Sequence, residues 1–469
     1  MHQNEFKPTL GLLDGTMIVA GSMIGSGIFI VSADMLRNVG SSGWLMIVWL
    51  ITGFMTVAAA VSYGELSAMF PKAGGQYVYL KESYNPLVGF LYGWSFFAVI
   101  QTGTIAAVGV AFSKFTAYLI PGVSEDRVLL EIGSFHISPA QGLSIVTIIL
   151  LTYINSRGVK NGKIIQTTFT ITKLISIFGL IACGLLALKG DIWHANWGGA
   201  DAWNLHKLNA DGSIVQYGTA AALGAIAAAM VGSIFSSVAW EGVTFIAGEI
   251  KNPKRNVGLS LFLGTFIVSI IYFAANIMYT AVLPLHDIAT AEKDRVAVAA
   301  SNAIFGNIGT YVIAVMIMIS TFGCNNGLIL AGARVYYTMA KDGLFFKKTG
   351  ELNKYAVPEF GLWIQCVVAC LLCLSGRYGD LLDMVSFVVV IFYVLTILGI
   401  FILRRKRPDA ERPYKAFGYP VIPALFILMG LAFCMLLIIY KPNFTWPGLI
   451  IVLSGIPIYY IAVAKRKSE

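Results

Sequence analysis

The chain alternates between long apolar runs and short polar segments. Each run holds about 18 or more residues, enough for an α-helix to cross the roughly 30 Å hydrocarbon layer of a membrane. Strands of a membrane β-barrel are only about 10 residues long and alternate apolar with polar positions, a pattern this sequence lacks. We predict an all-α integral membrane protein with twelve spans, at residues 12–33, 43–69, 86–120, 139–156, 164–189, 216–249, 257–284, 298–340, 357–377, 379–404, 419–440 and 444–464.

Basic residues predict the orientation, because basic loops tend to stay in the cytoplasm. With a cytoplasmic N-terminus, the inner segments hold 22 of the 33 Lys and Arg residues and the outer loops hold 8. The other three, Lys114, Lys173 and Arg334, fall within spans. We therefore expect a multi-pass protein of the plasma (inner) membrane with both termini in the cytoplasm. This asymmetry explains the net charge of +9, so no nucleic-acid partner is expected.

All six cysteines fall in apolar spans, so neither a disulfide framework nor a covalent outer partner is expected. Cys366, Cys370 and Cys373 share one helix face, a spacing that suits a metal ion. However, no histidine lies near them in the sequence, and cysteine usually packs as a small apolar residue. We favour packing, and we predict no metal ion and no other cofactor.

The first span contains the sequence GSMIGSGIFI at residues 21–30, which places poor helix formers near mid-membrane. A bilayer offers no water to unpaired backbone groups, so a broken helix survives there only beside a cavity or inside protein. Freed amides at a half-helix N-terminus suit a carboxylate, and freed carbonyls suit an ammonium group. The alternative is that Gly21 and Gly25 form a packing face between helices.

A second interruption favours the binding interpretation. The sixth span reads GSIFSSVAWEGVTFIAGE at residues 232–249, again with glycine and serine inside an apolar run. Paired interruptions at matching positions of two inverted halves are typical of a transporter's midplane site. We predict a first repeat at 1–190 (spans one to five), a second, inverted repeat at 191–404 (spans six to ten) and two further spans at 405–469.

Lys173 lies about nine residues into the fifth span, roughly 13 Å deep. A charge at that depth is expensive unless it is paired or solvated, so we interpret it as functional and expect it to face the first helix break. It would act either as a fixed cation or as a proton carrier. The alternative is a lysine that extends toward the interface and has no role.

Five motifs in order resemble the L-type amino acid transporter family of the amino acid, polyamine and organocation superfamily. The resemblance covers essentially the whole chain. The motifs are GSMIGSGIF (21–29), YGELSAMFPKAGGQYVYL (63–80), FSSVAWEGVTFIAGEIKNPKRN (235–256), STFGCNNGLILAGARVYYTMAKDG (320–343) and RRKRPDAERPYKAFGYPVIP (404–423).

The resemblance implies the fold of the bacterial leucine transporter, with two inverted five-helix repeats, spans one and six unwound, and two extra helices. It also implies sodium-independent movement of amino acids, usually by one-for-one exchange, with Phe235 as an aromatic gate and Lys173 near the sodium position of sodium-driven relatives. The implied contacts are the amides of Gly25, Ser26 and Gly27 for the substrate carboxylate and carbonyls near Met23, Ile24 and Phe235 for its ammonium group. Further expected substrate-binding residues are Ser236, Val238, Trp240 and Glu241.

Three departures from the family pattern refine this expectation. Relatives that carry cationic substrates tend to have an acidic residue where this chain has Val238, which favours neutral substrates. Glu241 stands where many relatives have Asn or another neutral residue, and it has three open interpretations: a reader of substrate charge, a proton site, or part of a polar network. The outer loop at residues 121–138 lacks the cysteine that bonds a heavy subunit in eukaryotic relatives, so we expect no covalent heavy subunit.

Other functional classes fit the sequence less well. An enzyme would need a nucleophile with a base, or a metal cluster, and neither motif is present. Glu65 and Glu249, at span ends, either form ion pairs with bases of the inner loops or meet water. The remaining alternatives are a proton-coupled amino acid symporter, a transporter of cationic amino acids or polyamines, and a sensor that binds amino acids without moving them.

Overall fold

The computed structural model describes residues 8–72, 74–132, 135–375 and 378–468, and it is nearly all helical. Its α-helices, in chain order, are α1 (Leu12–Met23), α2 (Gly27–Val39), α3 (Ser42–Met69), α4 (Gly75–Ser83), α5 (Pro86–Ser95), α6 (Gln101–Leu119), α7 (Pro139–Ser156), α8 (Val159–Leu186), α9 (Gly190–Trp197), α10 (Thr219–Ser236), α11 (Gly242–Phe245), α12 (Pro253–Val282), α13 (Leu285–Ala289), α14 (Val296–Phe305), α15 (Asn307–Lys341), α16 (Glu359–Ser375), α17 (Tyr378–Lys406), α18 (Val421–Tyr440) and α19 (Pro442–Ser468). A π-helical turn, Phe96–Ile100, joins α5 to α6.

Among the described residues, nine helical segments are long and apolar enough to cross a membrane, and the bent pair of α1 and α2 provides a tenth. The apolar parts of α16 and α19, Glu359–Leu374 and Thr445–Ile461, are shorter than a full span. The all-α membrane architecture is therefore confirmed, while the count of twelve spans stays a prediction. Residues 1–7 and the predicted span end at 376–377 lie outside the described residues.

The predicted eighth span, 298–340, is wrong as a single helix. The structure divides it into α14 and α15 at Gly306, whose φ of +69° lies in the left-handed region that favours glycine. The apolar run continues through this turn because both helices are apolar, so hydropathy alone does not reveal the break.

Short strands occur in the connections between helices. Strands β1 (Leu130–Ile132) and β2 (Phe135–Ile137) form one antiparallel pair, and β3 (His206–Leu208) and β4 (Ile214–Gln216) form another. They add local structure to the predicted loops without changing the helical class.

Two opposite ends of the bundle can be identified from contacts. At one end the amides of Thr9 and Leu10 donate to the carbonyl of Glu249, and we call this end the Glu249 face. At the other end, the Asp294 face, Arg37 at the end of α2 pairs with Asp294 at 2.8 Å.

The first half-helix lies in the interior of the bundle. Helix α1 packs against α12 and α15 and also contacts α8 and α11. Small residues permit the close crossing of α1 and α12, because a Cβ on Gly264 would lie 3.3 Å from the carbonyl oxygen of Thr16 and closer still to Val19. This packing brings side chains from three long helices to the end of α1.

Candidate functional site

The first membrane helix breaks between α1 and α2, which are bent by 45° relative to each other. The amide of Ile24 still donates to Ala20 at 3.0 Å, whereas the amide of Gly25 turns back to Met23 at 2.8 Å. The helix resumes at Gly27. The interruption predicted within residues 21–30 is therefore present, at residues 24–26.

Four consecutive carbonyls at the end of α1 accept hydrogen bonds from side chains of other helices. Lys173 of α8 donates to Gly21 and, at 2.8 Å, to Ile24. The remaining two carbonyls accept from α15 and α12: the Cys324 thiol lies 3.4 Å from the Ser22 oxygen, and the Tyr272 hydroxyl lies 2.8 Å from the Met23 oxygen. Helix ends leave their last carbonyls without intrahelical donors, so these side chains stabilise the break in a dry environment.

Lys173 is completely buried and lies where the sequence predicted, beside the first break. A cation at the C-terminal end of a helix is also favoured by the helix dipole. The carbonyls of Met23 and Ile24, which we expected to bind the substrate ammonium, already accept donors from the protein. Each carbonyl oxygen has a second lone pair, and its use by a substrate stays a prediction.

The start of α2 touches the second break. The amides of Gly27 and Ile28 belong to the first turn and so have no intrahelical acceptor, while Phe29 donates to Ser26 at 3.1 Å. A Cβ on Gly27 would lie 2.8 Å from the Cβ of Ser236 and 3.0 Å from its Cα. Glycine at position 27 is therefore required for the two interrupted helices to meet.

The sixth predicted span breaks between α10 and α11. Helix α10 ends at Ser236 and α11 begins at Gly242, so residues 237–241 are not helical. Ala239, in the middle of the break, has a φ of +69°, which is uncommon for a residue with a side chain. The Tyr272 hydroxyl lies 2.9 Å from the Ser236 carbonyl oxygen as well as near that of Met23, so one side chain of α12 links the two breaks.

The predicted binding side chains are buried around these breaks. Phe235 is 4% exposed in the last turn of α10, and Val238, in the second break, is also buried. Trp240 points toward α3 and α17, with its ring centroid 4.8 Å from that of Tyr63 and 5.0 Å from that of Tyr393. Trp240 therefore belongs to an aromatic cluster beside the break.

Glu241 accepts a 2.7 Å hydrogen bond from the Tyr393 hydroxyl of α17. Its carboxylate is buried, with the residue 4% exposed. Of the three interpretations of Glu241, this contact agrees with a polar network that connects the second break to α17. The roles of substrate-charge reader and proton site stay predictions.

A cavity of about 280 Å³ extends from the Glu249 face toward the breaks. It is lined by residues of α1, α8, α11 and α15, reaching Ser22 beside the first break and Gly242 beside the second. Its lining is mostly apolar, and Asp14, Glu249 and Arg334 also border it. The predicted binding residues are not among the described residues that line this cavity, which reaches only the residues next to the two breaks.

Ion pairs lie at both ends of the bundle. At the Glu249 face, Glu249 pairs with Arg334 at 3.1 Å and Glu65 with Arg404 at 2.6 Å. The ion pairs predicted for Glu65 and Glu249 are therefore present, although Arg334 lies in α15 and Arg404 in α17, and not in loops. At the Asp294 face, Lys293 pairs with Asp126 in addition to the pair between Arg37 and Asp294.

Sequence reasoning missed Tyr272, Cys324 and Tyr393 as parts of the site. Each is a polar or polarisable residue inside an apolar span, which is a weak signal because such residues also pack in helix interfaces. What identifies them is their position opposite the broken segments, and this depends on the rotation of each helix.

Comparisons with the sequences of known proteins show the family to which this chain belongs. Residues 10–463 match the family model for amino acid permeases. The chain is 30% identical to the serine/threonine exchanger SteT of Bacillus subtilis (strain 168), over 99% of both chains. It is also 29% identical to the human large neutral amino acids transporter small subunit 2 (97% of this chain, 81% of the relative) and 27% identical to the mouse b(0,+)-type amino acid transporter 1 (98% and 90%). The chain therefore belongs to the amino acid permease family and is a membrane transporter, not an enzyme.

Proposed function

We propose that this protein exchanges small to medium neutral L-amino acids across a membrane by alternating access, without sodium. The observation that carries the proposal is the pair of helix breaks in contact at Gly27 and Ser236. Between them they present the amides that begin α2 and the carbonyls of two interrupted helices. Backbone groups of both polarities at one point suit the carboxylate and the ammonium group of an amino acid.

Independence from sodium rests on Lys173. A sodium site in such a fold is formed by backbone carbonyls of unwound helices. Here the Lys173 ammonium donates to the carbonyls of Gly21 and Ile24, so a covalently attached cation already binds carbonyls of the interrupted helix. A fixed positive charge makes a bound metal ion unnecessary at the end of α1.

Preference for neutral substrates rests on Val238, a buried apolar residue inside the second break. Two relatives, a serine/threonine exchanger and a transporter of large neutral amino acids, support an uncharged side-chain pocket. Glu241 supports a second candidate function, proton-coupled uptake or transport of cationic amino acids, because its carboxylate is buried beside the same break.

The proposal includes the arrangement of the chain in the membrane. The Glu249 face is cytoplasmic, the protein lies in the plasma (inner) membrane, and residues 1–190 and 191–404 form two inverted repeats followed by residues 405–469. The excess of Lys and Arg in the segments of the Glu249 face supports this orientation. The cysteine-free loop at residues 121–138 supports function without a covalent heavy subunit.

Reconstituted transport tests the proposal. Proteoliposomes loaded with an unlabelled amino acid are diluted into labelled neutral amino acids at several pH values, with sodium chloride or choline chloride outside. We expect uptake that depends on the internal amino acid and is equal in both salts. A required sodium gradient, or competition by arginine and lysine only, would contradict it. Binding of amino acids without flux would identify a sensor.

A further inference from the structure

An exposed basic surface lies on the Glu249 face, where α12 begins and α17 ends. We define it by Arg255, Arg405 and Lys415, all of which are exposed. Among the residues that the structure describes, these three form no ion pair. Their neighbour Lys254 pairs with Glu411 at 3.3 Å, and this contact joins the first turn of α12 to the segment at 407–420 between α17 and α18.

A buried carboxylate holds this segment in place. Glu65, at 1% exposure, accepts hydrogen bonds from Arg404 at 2.6 and 3.0 Å and from the amide of Ala416 at 2.8 Å. Arg412 lies 3.3 Å from the same carboxylate. Arg404 and Arg412 are therefore occupied inside the protein, whereas Arg405 and Lys415, next to the anchored residues, remain at the surface.

The two sides of the basic surface meet across α3. A Cβ on Gly258 of α12 would lie 3.4 Å from the Cα of Gly64, and a Cβ on Gly64 would lie 2.7 Å from the ring of Tyr414. The close approach of these residues makes the first turns of α12 and the segment at 407–420 one continuous surface. Packing thus fixes the backbone segments that carry Arg255 and Lys415, while the charged side chains remain at the surface.

Exposed apolar residues continue from the bases along the helices. Arg255, Leu259, Phe262 and Phe266 follow one another at helical spacing on one face of α12, and the rings of Phe262 and Phe266 stack at 5.7 Å. The three apolar residues are 36%, 36% and 46% exposed. Beside Lys415, Phe417 is 68% exposed and Val421, the first residue of α18, is 62% exposed. This arrangement presents positive charge at the membrane boundary and apolar surface directly next to it.

We propose that the basic surface binds the headgroup of an anionic phospholipid whose acyl chains lie along the exposed residues of α12 and α18. Clusters of Lys and Arg beside a membrane helix attract anionic lipids, and the apolar residues supply a surface for hydrocarbon. Their exposure, and the absence of an ion pair with any described residue, distinguish these three bases from Arg404 and Arg412, which are held by Glu65. The proposal does not depend on the transported substrate.

Lipid titration of the purified full chain in detergent tests this site. Thermal unfolding is followed by tryptophan fluorescence while phosphatidylglycerol, phosphatidylcholine or inorganic phosphate is added. We expect phosphatidylglycerol alone to raise the unfolding midpoint in a saturable way. The triple variant Arg255→Gln, Arg405→Gln, Lys415→Gln should require about a hundredfold more phosphatidylglycerol for the same shift. Each Lys or Arg near the membrane surface strengthens the binding of an anionic lipid about fivefold.

The matched control is the triple variant Lys341→Gln, Lys348→Gln, Lys354→Gln, which removes the same charge from another basic segment of the Glu249 face and should titrate like the wild type. Each single substitution of the basic surface is measured as well, so the test does not depend on one variant folding. The proposal is overturned if phosphatidylcholine or inorganic phosphate shifts the unfolding midpoint as much as phosphatidylglycerol does. It is also overturned if the variants of the basic surface titrate like the wild type, or if the control variant loses as much binding as they do.

Discussion

The ammonium group of Lys173 donates a 2.8 Å hydrogen bond to the carbonyl oxygen of Ile24, the residue at which the first membrane helix stops. The same group also bonds to Gly21, so α8 supplies a cation to the exposed end of α1. A broken helix in a membrane interior requires partners for its backbone groups, and this contact supplies two of them.

Replacing Lys173 with Met should reduce transport by about tenfold or more. The change keeps most of the length of the side chain but leaves two buried carbonyls without their charged donor, each such bond contributing about 1.5–3 kcal/mol. Initial exchange rates in proteoliposomes, normalised to folded protein, measure the effect. Thr172→Val is the matched control, because Thr172 is half-buried beside Lys173 and, among the described residues, its hydroxyl bonds only to the Thr168 carbonyl of its own helix. Unchanged exchange in Lys173→Met would make the lysine incidental.

Tyr272→Phe should slow exchange more than it destabilises the protein. The hydroxyl contacts carbonyls of both breaks, so its loss uncouples α1 from α10 at a stability cost of about 0.5–1.5 kcal/mol. The control is Tyr279→Phe, seven residues further along α12, whose hydroxyl contacts only the Ile28 carbonyl among the described residues. Exchange rates and unfolding midpoints of both variants are compared. Equal rates in the two variants would argue against a coupling role for Tyr272.

Gly27→Ala should abolish exchange, because the new methyl group would overlap Ser236 and push the two breaks apart. Gly242→Ala is the control, since a Cβ at that glycine meets no described atom within 4 Å. Adding Ser236→Gly to Gly27→Ala removes the overlapping side chain and should restore part of the activity. Full activity of Gly27→Ala alone would show that exchange does not require the close contact between Gly27 and Ser236.

The breaks themselves could be predicted because their cause is local. Gly25, Gly27 and Gly242, with serines in the same motifs, interrupt apolar runs, and Lys173 is conspicuous as a charge deep in a span. The partners of the broken segments could not be predicted in the same way. Whether Tyr272 or another residue of α12 faces the breaks depends on how that helix is rotated and crossed, which hydropathy does not determine.

The orientation of the Trp240 ring likewise depends on packing between helices and not on the local sequence. The family resemblance implies a substrate contact for Trp240, which stays a prediction, and packing against Tyr63 and Tyr393 turns its ring toward α3 and α17. The split at Gly306 was missed because the apolar pattern continues across it. Sequence therefore predicted where the chain departs from helix at the site, and long-range packing decided which side chains complete it.

Glu241→Gln should retain most exchange of neutral amino acids, whereas Glu241→Ala should lose it. The glutamine side chain still provides an acceptor for the Tyr393 hydroxyl, while alanine leaves that buried donor unpaired. Exchange is measured for both variants from about pH 5 to about pH 8, the range in which a transported proton would change the exchange rate. If Glu241→Gln abolishes exchange or removes a pH dependence seen in the wild type, Glu241 is a proton site and the network interpretation is wrong.

Competition by substrate analogues tests the central claim most directly. The amino acid that exchanges fastest is compared with two analogues as competitors in proteoliposomes. One analogue is the corresponding amine without a carboxylate, and the other is the corresponding carboxylic acid without an ammonium group. If backbone groups of the two breaks bind both charged ends, only the intact amino acid competes, and both analogues are weaker by about a hundredfold or more. Competition by either analogue at the concentration of the amino acid would contradict this account.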